Sequence, residues 1–407
     1  MLDADTLLLE YSLGEERSHV FVVSQSSLTV YELPKRVRIE GLARRVYHLL
    51  NARNYEVKGE TESQRDARWA QADADYPRVA AELSRMILGP VAELLPEKRL
   101  LVVSEGALQY VSFAALPVPA TGRSEHLAAK AGVPMMFEHE IVNLPSASVI
   151  AELRRAEMGR KPASKEVAVL ADPVFDSADE RITRATRARS KAALFPERLT
   201  RSAAEVGKSR NGSLYLNRLL YTREEARAII ALVSPGKAMV ALDFQANRAA
   251  ATSSMLSEYR IVHFATHGLL DSRHPELSGL VLSMVDKQGR PQDGFLQLED
   301  IYNLNLPVDL VVLSACDTGL GEEISGEGLV GLTRGFMYAG ASRVMASLWS
   351  VNDAATSELM ARFYKAVERD RMRPAAALRA AQIQMWRQKL WRSPYYWAAF
   401  QIQGEWR

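Results

Sequence analysis

From about residue 165 onward the sequence alternates short β-branched apolar runs with helical stretches, and this rhythm constrains the fold more than any other feature. Strands are expected at 167–171, 239–242, 260–266, 310–314 and 343–348. Helices are expected through residue 233, opened by a capping box Thr222-Arg223-Glu224-Glu225, and over 248–257 and 328–338. Two more follow near 354–369 and 374–389, and a last strand closes the chain at 399–402. Strands joined by connections of helical length pair in parallel, which predicts an α/β fold with a mostly parallel sheet flanked by helices. In such sheets functional side chains gather in loops beyond the carboxyl ends of the strands.

The amino half has a different texture. Segments 7–13, 18–23 and 28–33 read as a β meander, followed by helices near 40–52 and 76–88 and strands at 99–103 and 140–143. Lys161-Pro162-Ala163-Ser164-Lys165 reads as a linker. A chain of 407 residues exceeds one average core. Two units are therefore expected, 1–160 and 161–407. The arginine- and lysine-rich stretch 180–210 shows no sustained apolar period and reads as a mobile, solvated loop.

Several function classes drop out. The formal net charge of +2 gives no support to direct nucleic-acid binding or a membrane-seeking surface. No run approaches the roughly 18 apolar residues of a membrane span, and the acidic start is unlike a secretory signal. The single cysteine, Cys316, rules out internal disulfides and Cys-rich zinc sites and fits a reducing cytoplasm. P-loop, HExxH, EF-hand and GxSxG motifs are absent, and no metal or cofactor is expected. His263 and His267 lie along one strand, where four residues span roughly 13 Å, too far apart to share a metal.

What remains is a thiol and an imidazole. His267 ends one expected strand and Cys316 the next, so a nucleophile and its base could meet at the carboxyl edge. Gly268 offers an unhindered N–H to a developing oxyanion. Plainer readings exist: a lone cysteine in an apolar strand is usually a small core residue, and His263, between Val262 and Phe264, reads as a hydrogen-bonded core histidine. The spacing favours chemistry. His267 precedes Cys316 by 49 residues, and caspases carry a histidine about 50 residues before the nucleophilic cysteine.

The sequence closely resembles the CHAT family, caspase-like proteins related to separases and often fused to tetratricopeptide repeats. The resemblance is carried by His263-Phe264-Ala265-Thr266-His267-Gly268 and Val312-Leu313-Ser314-Ala315-Cys316-Asp317-Thr318-Gly319. It extends through Gly326-Glu327-Gly328-Leu329, Ser347-Leu348-Trp349, Tyr396-Trp397-Ala398-Ala399-Phe400 and, in the amino half, Ser104-Glu105-Gly106-Ala107-Leu108. It implies a caspase-like catalytic half behind a non-catalytic, pseudo-caspase-like amino half, with His267 and Cys316 as the dyad. It also implies a protein substrate and control by an attached repeat or sensor domain, and some relatives act in prokaryotic defence. Helical repeats precede this region in relatives and are not seen in this sequence.

The expected activity is endopeptidase cleavage, with the Gly268 and Cys316 N–H groups forming the oxyanion hole. In caspase-like folds the specificity pocket draws on the loop after the cysteine and the end of the following strand. The acids there, Asp317 first and Asp353 second, predict a basic residue before the cleaved bond. Arg334 and Arg343, the nearby candidates for an aspartate-binding pocket, sit in or before secondary structure. A catalytically silent interaction module with the same fold is the competing reading, and hydrolysis of a non-peptide amide or ester is a third.

Overall fold

The computed structural model describes residues 2–119, 132–182, 209–210, 213–214, 216–270, 274–314 and 328–407. The chain divides into two compact units, one of residues 1–154 with 375–407 and one of residues 155–374.

In the first unit β1 (Thr6–Ser12), β2 (Ser18–Val23) and β3 (Leu28–Leu33) form an antiparallel meander. β4 (Arg99–Val103) pairs in parallel with β1, and β5 (Ile141–Leu144) with β4. The Phe400–Gly404 strand then adds in parallel to β5. A linear division at residue 160 assigns 375–407 to the second half, but these residues pack in the first unit. Gln382 Nε2 donates to the carbonyls of Trp397 and Phe400, at 3.1 and 3.0 Å, and Asn143 Nδ2 donates to Gln401 Oε1 at 3.0 Å. The Glu62–Ile87 helix begins well before the expected 76–88 stretch. Its first half is polar and carries no apolar stripe, but Thr61 and Gln64 close a capping box that fixes the start.

The second unit holds β6 (Lys165–Ala171), a short ribbon of β7 (Ser209–Arg210) and β8 (Ser213–Leu214), β9 (Ala238–Leu242) and β10 (Tyr259–Ala265). It continues with β11 (His267–Leu269), β12 (Gly279–Val281), β13 (Phe295–Gln297), β14 (Leu310–Leu313) and β15 (Arg343–Ser347). Five of these make a parallel sheet in the order β15-β14-β10-β6-β9. The central runs are buried on both faces, as expected for strands covered by helices. At Thr266 the chain leaves β10 and enters a small antiparallel sheet, β11-β12-β13.

The expected capping box at Thr222 does not form. The helix spans Tyr221–Ile230, and the Thr222 hydroxyl donates to the Leu219 carbonyl at 2.7 Å. Glu225, the residue that would close the box, is wholly buried beside His263 instead. Among the described residues no helix is long and apolar enough to cross a membrane.

Candidate active site

β10 and β14 are adjacent parallel strands with Phe264 opposite Leu313. β10 continues into Thr266 and His267, and β14 ends at Leu313, followed by Ser314, two residues before Cys316. Cys316 and Asp317 lie outside the described residues. His267, Gly268 and Asp353 are described.

His267 is 4% exposed. Its Nε2 lies 2.6 Å from the backbone oxygen of Asn217. A carbonyl only accepts, so Nε2 carries a hydrogen; in the neutral form of such a ring the lone pair is on Nδ1. The Phe175 ring lies against the imidazole at 5.0 Å between centroids. Together these contacts fix the tautomer and tilt of the ring. Sequence reasoning missed Asn217, because the group that acts is a main-chain oxygen with no side-chain signature.

The register of the small sheet decides where Gly268 points. Leu282 N donates to Gly294 O, and Leu298 N to Ser278 O. Residues 278, 280 and 282 therefore bond toward β13, and 279 and 281 toward β11. Gly268 faces Leu280, so theirs is a non-hydrogen-bonded pair. The Gly268 N–H is directed out of the edge of β11, away from β12.

Beyond β6 and β9 the chain turns sharply at Asp172 and Asp243, non-glycine residues in left-handed conformation at φ 48° and 53°. Asp172 is buried and receives three arginines. Arg218 grips it in bidentate fashion at 2.9 and 2.8 Å, Arg223 Nε approaches to 2.7 Å and Arg181 Nη1 to 3.0 Å. Arg181 and Arg223 also reach Asp243, and Arg181 pairs with Asp179 at 2.8 Å. The cluster ties the segment carrying Asn217 to the strand ends. Arg181 and the buried Ile182 start the basic stretch expected to be solvated, yet they are packed. Residues 183–208, most of that stretch, lie outside the described residues.

Asp353 opens the Asp353–Glu368 helix, and its Oδ2 accepts the Tyr221 N–H at 2.9 Å. Burial, then the charges of Glu225 and Asp172, hold its carboxyl above the ordinary aspartate value, against the lowering effect of that N–H. Arg343 is the first residue of β15, at the amino ends of the parallel strands, where its guanidinium donates to the Asp309 carbonyl.

His263 has a core role. It is wholly buried, with Nε2 2.8 Å from Glu225 Oε1 and 3.2 Å from Ser314 Oγ, and Nδ1 2.9 Å from Tyr364 Oη. Burial, then Glu225 and Glu368, push the Tyr364 hydroxyl well above its ordinary value, so it stays protonated and can donate to Nδ1. The Nε2 hydrogen is then the one directed at the Ser314 hydroxyl, with Glu225 Oε1 alongside it.

Comparison with known proteins gives three findings. The family model described as "CHAT domain" matches residues 77–405. Tetratricopeptide repeat protein 28 of Homo sapiens is 34% identical over 113 residues, 28% of this chain and 4% of that protein; its Mus musculus counterpart is 35% identical over 109 residues, again 4% of its length. The Saccharomyces cerevisiae separase of the separase-securin complex superposes with a TM-score of 0.57 at 8% identity, covering 98% of this chain and 30% of that one. The separase similarity is one of fold.

Proposed function

The chain belongs to the CHAT domain family, and on that premise we propose that it is a cysteine endopeptidase with Cys316 as nucleophile and His267 as base. The observation that carries the reading is the held His267 ring. Its Nε2 is satisfied by Asn217 O, so Nδ1 is the nitrogen that takes and returns a proton, at the end of the strand beside the one leading to Cys316. The thiolate attacks the scissile carbonyl, and imidazolium protonates the departing amine. The outward Gly268 N–H, with that of Cys316, stabilises the tetrahedral oxyanion.

A basic residue precedes the cleaved bond in this reading, held by Asp353 and Asp317. Asp353 supports it: burial and then the neighbouring charges of Glu225 and Asp172 raise its carboxyl, and a substrate guanidinium would offset those charges. The unit of residues 1–154 and 375–407 contains no cysteine and serves as the non-catalytic partner of residues 155–374. Similarity to a tetratricopeptide repeat protein supports a repeat-bearing regulator, and a lone catalytic thiol works best in a reducing compartment such as the cytoplasm.

The test is to label new amino termini in cells expressing the wild type or Cys316→Ala. Protein fragments that depend on Cys316 and follow arginine or lysine are expected. Identical fragment sets in the two cell lines would favour a non-catalytic module.

A further inference from the structure

Three elements deliver the proposed chemistry. β10 runs into the base, β14 runs toward the nucleophile, and the segment entering the Tyr221–Ile230 helix carries the oxygen that holds the base. One buried polar cluster touches all three. His263 stands on β10 four residues before His267, Ser314 is the last described residue before Cys316, and Glu225 lies on the helix that follows Asn217. Tyr364, on the Asp353–Glu368 helix, closes the cluster from behind.

We infer that Glu225, His263 and Ser314 form an internal brace that sets the distance and angle between the base and the nucleophile. The inference rests on the cysteine-peptidase reading. His263 is a positioning residue, acting through Ser314 and never touching substrate. The linkage is short. Ser314 N donates to Phe264 O at 3.0 Å, and its hydroxyl meets His263 Nε2 at 3.2 Å, so both the backbone and the side chain of Ser314 are tied to β10. Cys316 follows two residues later, and two residues of chain span at most about 7 Å.

The composition of the cluster argues for more than core filling. Both Glu225 oxygens are buried without a well-aligned hydrogen bond among the described residues, and Oε1 lies 2.8 Å from His263 Nε2. Burying a carboxylate this way is costly, and well-packed apolar side chains stabilise a core at least as well. What apolar packing lacks is direction. The His263 Nε2 hydrogen aims at one hydroxyl, Ser314 Oγ, the Glu225 carboxylate stands against the same nitrogen, and the three elements are held in one register.

The experiment uses the full chain and exploits its single cysteine. Alkylation by iodoacetamide near neutral pH, read as a mass shift, reports Cys316 alone and depends on its thiolate character. Hydrolysis of a fluorogenic peptide ending in arginine supplies kcat and KM. Ser314→Ala and Glu225→Gln should each slow alkylation and lower kcat about 10- to 100-fold, the cost of misplacing reacting groups by about an ångström. KM should stay within about twofold, Ser314→Thr should restore the rates, and the double variant should be no slower than the slower single one. If Glu225→Gln fails to fold, the Ser314 pair decides alone. Folded Ser314→Ala with wild-type alkylation and kcat overturns the brace. If His267→Ala alkylates as fast as the wild type, no dyad exists and both readings fall together.

Discussion

His267 Nε2 and the backbone oxygen of Asn217 lie 2.6 Å apart, so a main-chain atom holds the proposed base. Replacing the Asn217 side chain should therefore matter little, while moving its backbone should matter. Asn217→Ala is expected to keep kcat within about twofold. Arg218→Ala, which frees the adjacent residue from Asp172, should lower kcat about tenfold with a smaller change in KM. Equal activity of the two variants would mean that the carbonyl does not orient the ring.

Gly268 allows a test by subtraction. Its N–H points away from β12, so proline at this position removes no ladder bond of the small sheet, and an edge strand tolerates proline. Gly268→Pro should remain folded by circular dichroism yet lose about 10²- to 10³-fold in kcat. Full activity in the folded variant would take Gly268 out of the oxyanion hole.

Asp353 should show opposite effects on stability and activity. Because its carboxyl is raised in the folded chain, the folded state binds that proton more tightly than the unfolded state does. Ionisation therefore costs stability above the folded value, and the cost disappears as pH falls through it. Asp353→Asn keeps an acceptor for the Tyr221 N–H and removes the charge, so the thermal midpoint near neutral pH should rise. The same variant should lose about tenfold or more in kcat/KM on arginine peptides and little on leucine peptides. A stabilised variant with undiminished arginine preference assigns Asp353 to helix capping alone.

The buried arginine cluster sets the stability of the carboxyl edge. Asp172→Ala strands Arg218 and Arg223 beside a buried void and should cost about 3–5 kcal/mol in denaturant unfolding. Thr222→Ala should cost less than about 1 kcal/mol, because Thr222 is not a helix cap here. Comparable losses in the two would contradict the hydrogen-bond assignments at both sites.

Sequence alone reveals what repeats locally. The parallel strands of residues 155–374 announce themselves as continuous apolar runs, and His267 stands at a strand end with Gly268 behind it. Groups defined by long-range geometry are silent. The Asn217 oxygen carries no residue-type signature. Glu225 has the spacing of a helix cap, and only the position of His263 on another element redirects it inward. Arg181 and Arg218 sit at the margins of a basic stretch that looks solvated, until Asp172 supplies a buried partner. The return of residues 375–407 to the first unit is a matter of topology, which local periodicity does not encode.

The central claim is a Cys316–His267 dyad that cleaves after basic residues, and steady-state hydrolysis of fluorogenic peptides ending in arginine, lysine, aspartate or leucine tests it most directly. The account predicts turnover of the arginine and lysine peptides by the wild type, and its loss in folded Cys316→Ala and His267→Ala. Cleavage near the wild-type rate in either variant, or a preference for aspartate or leucine, would contradict it.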